Sequence, residues 1–232
     1  MRLAIMQPYL FPYIGYFQLI ESSDLFIFLT DSNFIKQGWI NRNQLLLNGH
    51  PTFFTVPLSK ASSNKKINET KIHTHLFEKW KNGFLKSIKQ SYAKSKNFDS
   101  FYPELNSFFD TNFHTIDKMA IASIKFSANF LGLKATFKES DFYDSSIKGS
   151  ERVIHICKEE SATDYINLPG GMELYSKKSF NNEGIELHFI ESLNFNYRQI
   201  SKDFHPNLSI LDLLFNCSEG ELNEFLKNYQ LT

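Results

Sequence analysis

The chain has 232 residues and a formal net charge of zero, because 25 lysines and arginines balance 25 aspartates and glutamates. Proteins that bind phosphate backbones are usually basic, so this balance argues against nucleic acid as a partner. A chain of this length can bury a core of its own without disulfides or metals. We therefore predict a single α/β domain over residues 1–232.

The cysteines and the N-terminal segment bear on the cellular compartment. Cys157 and Cys217 are the only cysteines and lie far apart, which suits a reducing compartment and gives no metal motif. Pro8 and Pro12 interrupt the apolar N-terminal stretch, and no small-residue cleavage site follows it, so a signal peptide is not expected. No stretch approaches about 18 uninterrupted apolar residues, so no transmembrane segment is expected. These features predict a cytoplasmic protein.

The first thirty residues follow a strand-helix-strand pattern. Residues 2–6 (RLAIM) form a short apolar run that is typical of a buried parallel strand. After a break at two prolines, apolar residues recur at helical spacing from Gly15, and residues 25–30 (LFIFLT) form a second apolar run. This order predicts a βαβ unit, in which one helix joins two parallel strands.

The next hundred residues depart from that pattern. Asn48 and Gly49 separate two apolar segments, which indicates a β-hairpin over residues 39–58. Apolar residues then recur at helical spacing over residues 75–95 and over residues 99–132, and we predict two helices, the second with a break near His114. Residues 71–132 are therefore expected to form a helical insertion.

Strands and helices alternate again in the last hundred residues. The predicted elements are a strand at 134–143, a helix at 151–161, a strand at 164–168, a helix at 172–180, a strand at 185–191 and one or two closing helices. The predicted fold class is thus α/β. It has a mainly parallel, Rossmann-like sheet, with a β-hairpin excursion and a helical insertion.

The loop after the first strand is the first candidate for ligand binding. Ligands of parallel sheets bind past the carboxyl ends of the strands, and this loop holds Gln7, Tyr13, Gly15 and Tyr16 there. The following helix offers free N–H groups to a phosphate or carboxylate, while tyrosines add hydroxyl donors and stacking faces. The alternative is that these aromatic residues only fill the core.

The segment IKQGWINRN is the second candidate. Lys36 and Arg42 can neutralise an anion, Asn41 and Asn43 can bind sugar hydroxyls, and Trp39 can stack on a ring. If residues 41–43 form a strand, however, the two asparagines face one side and Arg42 faces the other. The alternative is a hairpin strand with an exposed arginine.

A glycine turn and two candidate bases complete the predicted site. Gly170 and Gly171 form a turn before a helix that can border a ligand, although tight connections use glycine in any case. Asp31, at the end of the second strand, and His205 are candidate bases. Topology predicts that the loop after the first strand, residues 31–42, residues 169–171 and the turn near Glu191 converge. No metal site is predicted.

Long stretches of the sequence resemble the WbqC-like family of bacterial proteins. They are MQPYLFPYIGYFQLIESSDLFIFLTDSNFIKQGWINRN, LPGGMELY, GIELHF and FHPNLSILDLLF, so the resemblance covers essentially the whole chain. Members commonly occur in gene clusters for O-antigen (lipopolysaccharide) and other surface-polysaccharide synthesis. The resemblance therefore implies this pathway, and family associations suggest attachment of glycine or another acyl group to the amine of a nucleotide-linked amino sugar.

The first βαβ unit also resembles the HxGH segment of nucleotidylyltransferases and pantothenate synthetase. Gly15 matches the glycine of that motif, but Tyr13 and Tyr16 stand where the two histidines would be. A histidine cation can neutralise phosphate charge, whereas a tyrosine gives only a neutral hydrogen bond. This second resemblance therefore supports the fold better than it supports adenylyl transfer.

Together, the residues and the resemblance lead to one main hypothesis. The expected activity is an acyl or aminoacyl transferase or ligase that joins glycine or a similar carboxylate to the amine of a nucleotide-linked amino sugar. ATP is the expected activating cofactor, and either Asp31 or His205 would accept the ammonium proton. The rivals are a glycosyltransferase of the same pathway and a non-catalytic nucleotide- or glycan-binding subunit. Oligomeric state is left open, with a homodimer as one option.

Overall fold

The computed structural model describes residues 1–232 and has ten strands and eight α-helices. The strands are β1 (Arg2–Met6), β2 (Leu25–Phe28), β3 (Arg42–Leu47), β4 (His50–Thr55), β5 (Leu58–Ser59), β6 (Lys71–Ile72), β7 (Thr136–Glu139), β8 (Asp164–Asn167), β9 (Glu186–Ser192) and β10 (Tyr229–Leu231). The helices are α1 (Ile14–Glu21), α2 (Thr74–Tyr92), α3 (Phe98–Phe109), α4 (Ile116–Phe130), α5 (Gly149–Glu159), α6 (Lys177–Asn181), α7 (Ile210–Asn216) and α8 (Glu219–Lys227).

A six-stranded sheet forms the centre of the molecule. Its spatial order is β10-β9-β8-β1-β2-β7, and every neighbouring pair is parallel except β9 with β10. The chain first builds outward from β1 through β2 to β7, then returns to β8 and builds in the other direction. The direction of winding therefore reverses between β1 and β8, which is where α/β sheets bind ligands. The predicted α/β class with a mainly parallel sheet is confirmed.

The two faces of the sheet carry separate cores. Side chains alternate along a strand, so Ala4 and Phe28 face a large core that includes α1, the three helices α2 to α4, α7 and α8. Leu3 and Ile5 face the opposite core, which packs against α5 and α6. Burial on both faces explains why the parallel strands read as nearly continuous apolar runs.

The hairpin and the helical segment are placed between β2 and β7. Asn48 and Gly49 connect β3 to β4 and both have positive φ, at 53° and 79°, as a two-residue type I′ turn requires. Residues 71–132 hold three helices rather than two. One break lies at 110–115, near His114, and the other follows α2, where Asn97 donates to the carbonyls of Leu214 and Cys217.

Some predicted boundaries in the last third differ from the structure. After the Gly-Gly turn, only α6 is helical. A short 3-10 turn at Pro169–Gly171 and several non-helical residues precede this helix. Strand β10 was not predicted, and it pairs with β9 at one edge of the sheet. None of the helices combines the length and apolar character needed to cross a bilayer.

Candidate functional site

A cleft of about 490 Å³ opens at the point where the winding of the sheet reverses, and we name it the switch-point cleft. Its walls combine aromatic rings, prolines, amides and one carboxylate. The lining residues are Tyr9, Pro12, Tyr13, Trp39, Asn43, Gln44, Pro169, Glu191, Ser192, Pro206 and Asn207. Each of the four segments that topology predicted to converge contributes at least one of these residues.

The loop that follows β1 is fixed by buried hydrogen bonds. Phe11 has a φ of 42°, which is rare for a bulky residue, and its ring is fully buried against Phe108 and Phe109. The Phe11 N–H donates to Ser123 Oγ at 2.9 Å. The Phe11 carbonyl accepts from Ser209 Oγ and Asn43 Nδ2, both at 2.8 Å. These bonds stabilise the strained backbone and hold the cleft's aromatic wall in one conformation.

Tyr13 covers the start of α1. A Cβ at Gly15 would lie 2.5 Å from the Tyr13 ring, so the ring rests directly on the helix where only glycine leaves room. Burial raises the pKa of Tyr13, and the neighbouring Tyr9 raises it further, so the hydroxyl stays a neutral group near pH 7. The Tyr13 ring therefore packs against the first turn of α1, the helix whose N-terminus the sequence suggests for an anion.

Two residues of the same loop lie outside the cleft. Tyr16 was expected to face a ligand, but it is fully buried and its hydroxyl donates to the Gln7 carbonyl at 2.9 Å. The Gln7 side chain is half-buried and donates to Ser32 Oγ at 2.9 Å. Both residues brace the loop, whereas Tyr9 and Tyr13 supply the surface that borders the cleft.

The segment from Lys36 to Asn43 splits as strand alternation requires. Asn43 points inward and donates to the carbonyls of the β1 loop, while Arg42 points to the other side. The Arg42 guanidinium lies 4.5 Å from the centre of the Phe53 ring and donates to the Gln37 carbonyl. Lys36 is exposed, and neither Lys36 nor Arg42 is among the residues that line the cleft.

Asn41 and Trp39 complete that segment. Asn41 is buried and donates to the Val56 carbonyl at 2.9 Å, which ties β3 to the end of β4. Trp39 remains 42% exposed at the mouth of the cleft, and its ring lies 6.2 Å from the Phe53 ring. Of the residues predicted in this segment, Trp39 and Asn43 therefore border the cleft and the other three do not.

Neither candidate base lies in the cleft. Asp31 forms an ion pair with Arg152 at 2.7 Å and accepts from Ser140 Oγ at 2.6 Å. Burial alone would raise the pKa of Asp31, but these hydrogen bonds and the charge of Arg152 outweigh it and lower the pKa. The half-buried His205 ring lies 3.5 Å from Ser201 Oγ.

One residue of the 3-10 turn Pro169–Gly171 borders the cleft. Pro169 lines the cleft, whereas Gly170 is exposed and does not. Gly171 is buried, and a Cβ there would lie 2.6 Å from Asn167 Nδ2. Gly171 is thus needed for close packing of the turn on β8, which is the structural alternative that the sequence left open.

A comparison with known protein families matches most of the chain. Residues 7–224 match the WbqC-like protein family. The chain belongs to the WbqC-like family. This WbqC-like chain is 27% identical over 232 residues to the uncharacterized protein Rv1507c of Mycobacterium tuberculosis strain H37Rv, and the alignment covers 97% of each chain. No solved structure matches it. The family resemblance seen in the sequence is confirmed.

The walls of the switch-point cleft of this WbqC-like chain carry one charged side chain. Glu191 is the one ionisable acidic or basic side chain on its walls, and it accepts from Gln230 Nε2 at 2.7 Å. The remaining groups are neutral donors and acceptors. A ligand with hydroxyl groups and one positive charge suits such a cleft better than an anion does.

Three polar cleft residues of the WbqC-like chain were missing from the sequence prediction: Gln44, Ser192 and Asn207. Ser192 ends β9, so a search for polar residues at strand carboxyl ends finds it together with Glu191. Asn207 has a φ of 57° within the FHPN stretch, and no local pattern shows that this turn reaches the cleft.

Proposed function

We propose that this protein binds the amino sugar of a nucleotide-linked sugar in the switch-point cleft and joins its amine to the carboxyl group of glycine or a similar acid. The pathway is the synthesis of O-antigen or another surface polysaccharide, as the family resemblance implies. The observation that carries the proposal is the cleft itself, with aromatic walls, neutral hydrogen-bonding groups and a single carboxylate.

The walls suit a sugar that carries an amine. Tyr9, Tyr13 and Trp39 present aromatic surface to a pyranose ring, while Gln44 offers amide groups to hydroxyls. An ammonium group placed against Glu191 gains a charge-assisted hydrogen bond. In this arrangement Glu191 takes the role that the sequence gave to Asp31 or His205.

Glu191 also has the right chemistry for the reaction. The amine attacks only when it is neutral, so a base must lie within hydrogen-bond reach of it. Glu191 first takes one proton from the bound ammonium group. The neutral nitrogen then forms a bond to the carbonyl carbon of an activated donor, the leaving group departs with its electron pair, and the second proton leaves the nitrogen with that group. Asp31 is less suited, because Arg152 and Ser140 already use its oxygens.

A second cavity adjoins the cleft and suits the nucleobase of the ligand, although it holds no lysine or arginine for the diphosphate. It has a volume of about 560 Å³ and shares Tyr13, Ser192, Pro206 and Asn207 with the cleft. Aromatic side chains, including Phe195, Tyr197 and Phe204, form part of its wall. Such rings can stack on a nucleobase, which supports a nucleotide-linked substrate.

ATP remains part of the proposal only as the source of activation. No lysine or arginine lines the switch-point cleft, so its walls do not fit a triphosphate, and we draw no step through ATP there. Whether the donor arrives already activated is decided by running the assay with and without ATP.

Mass spectrometry tests the proposal directly. The protein is incubated with a UDP- or dTDP-linked amino sugar, glycine and ATP, and we expect a product that is heavier by one glycyl unit. Glu191→Gln should lower the rate about a hundredfold or more, because a positioned proton acceptor typically contributes at least that much. Glu224→Gln, which changes an exposed glutamate on α8, is the matched control.

A non-catalytic binding subunit is the second candidate function. Its support is that Tyr13 and Tyr16 replace the histidines of nucleotidylyltransferases, while Asp31 and His205 lie outside the cleft. Saturable binding of the amino-sugar nucleotide without any mass gain, with or without ATP, would establish this alternative. Absence of binding would overturn both candidates.

A further inference from the structure

A third cavity, separate from the switch-point cleft and from the cavity beside it, lies at the carboxyl edge of the sheet, on the face that packs against α5. It has a volume of about 460 Å³, and we name it the cationic cavity because Lys66, Lys148 and Arg152 line it. Its floor is formed by Ile5 and Val153 of the α5 core. We propose that the cationic cavity binds the phosphoryl group of a phosphorylated small molecule.

The three cations come from two parts of the chain, because Lys66 precedes β6 whereas Lys148 and Arg152 lie at the start of α5. Lys66 is brought there by a β-bridge to Asn33, supported by Phe34 N–H donating to the Lys65 carbonyl at 2.8 Å. The Lys66 ammonium makes no ion pair, and neither does that of Lys148, which donates to the Ser145 carbonyl. In a chain of zero net charge, this convergence gives a cavity with an excess of positive charge.

The N-terminus of α5 adds a second source of positive potential. Gly149 and Ser150, the first residues of this eleven-residue helix, line the cavity, and no side chain caps the helix. The first N–H groups of a helix have no partner within the helix and favour an anion. Gly149 has a φ of 61°, and a Cβ there would meet nothing within 4 Å, so the approach to these groups is clear. Glu151 lies in the same turn but does not line the cavity.

Arg152 places a largely buried guanidinium on the wall of the cavity. Its side chain is only 9% exposed, it lines the cavity, and its Nε is buried without any hydrogen-bond acceptor. Its other nitrogens hold Asp31, so the one carboxylate on the cavity wall is already neutralised, and the two lysines remain in excess.

This inference does not depend on the proposed amide-forming activity. The cationic cavity and the switch-point cleft share no lining residue, and they lie against different cores of the sheet. A phosphoryl group in one and a sugar in the other can therefore be tested separately.

Titration calorimetry with pyrophosphate, at constant ionic strength held by sodium chloride, tests the proposal. We expect saturable binding to the full chain, and Lys148→Gln and Lys66→Gln should each weaken it about tenfold, since a hydrogen bond to a charged group is worth that much. Lys89→Gln, an exposed lysine on α2, should leave the affinity unchanged. Circular dichroism confirms that each variant is folded.

Two results would overturn the proposal. One is the lack of saturable pyrophosphate binding by the unaltered protein. The other is binding that falls equally in Lys148→Gln, Lys66→Gln and Lys89→Gln, since this would indicate general attraction to a charged surface. Glu191→Gln should leave pyrophosphate binding unchanged, so failure of the amide-forming proposal and failure of this one give different results.

Discussion

The switch-point cleft and the cationic cavity both lie at the carboxyl edge of the sheet, but their walls carry different charges. The switch-point cleft has one carboxylate, no basic side chain and a helix N-terminus covered by Tyr13. The cationic cavity has two unpaired lysines and an uncovered helix N-terminus at Gly149. A helix that follows a strand is therefore not an anion site by position alone, because the charged side chains around its N-terminus also decide which ligand suits it.

The largest expected effect concerns the ion pair at the cationic cavity. Asp31→Asn should lower the free energy of unfolding by about 3 kcal/mol at pH 7, because it leaves the buried Arg152 without its partner. The same change should strengthen pyrophosphate binding, since the freed guanidinium then faces the anion. Urea unfolding and calorimetry measure the two effects, and ligand binding at the switch-point cleft should not change.

The pH dependence of this pair has a defined sign. The pKa of Asp31 is lower in the folded protein than in the unfolded chain, so its contribution is complete above about pH 4 and is lost as pH falls through the folded pKa. The stability difference between the unaltered protein and Asp31→Asn should thus shrink below pH 4. This account would be contradicted if that difference in stability stayed constant as pH falls. It would also be contradicted if the exposed Asp203→Asn change lowered stability as much as Asp31→Asn does.

The next effect concerns the scaffold of the switch-point cleft. Asn43→Ala should cost about 2 kcal/mol, because the carbonyls of Leu10 and Phe11 lose a buried donor. Binding of the amino-sugar nucleotide should weaken, whereas pyrophosphate binding should persist. Asn223→Ala, at an exposed position on α8, is the control for stability. Equal losses at both cavities would show that the two sites are coupled rather than separate.

The smallest effect on stability is expected at Gly15. Gly15→Ala forces the Tyr13 ring away from α1, but alanine favours a helix over glycine by about 1 kcal/mol, so the net change in stability should be below 1 kcal/mol. Affinity for the amino-sugar nucleotide should fall much more, since the ring forms one wall of the cleft. Unchanged affinity would mean that the position of this ring does not matter for binding.

The sequence predicts the elements of this protein better than it predicts their partners. The Asn48-Gly49 turn and the alternation around Arg42 follow from local geometry, and both match the structure. Strand β10 is not predicted because a three-residue edge strand has no periodicity of its own. The pairing of Asp31 with Arg152 joins residues 121 positions apart, so no local pattern can show that this strand-end aspartate is already bound.

The bonds around Phe11 have a consequence for the order of assembly. The backbone of this residue is held by Asn43 from the hairpin, Ser123 from α4 and Ser209 from the last third of the chain. Its left-handed conformation is costly without them. During synthesis, the aromatic wall therefore cannot settle until the ribosome has released residue 209. A newly made chain should therefore complete the wall of the switch-point cleft only after its last third has been synthesised.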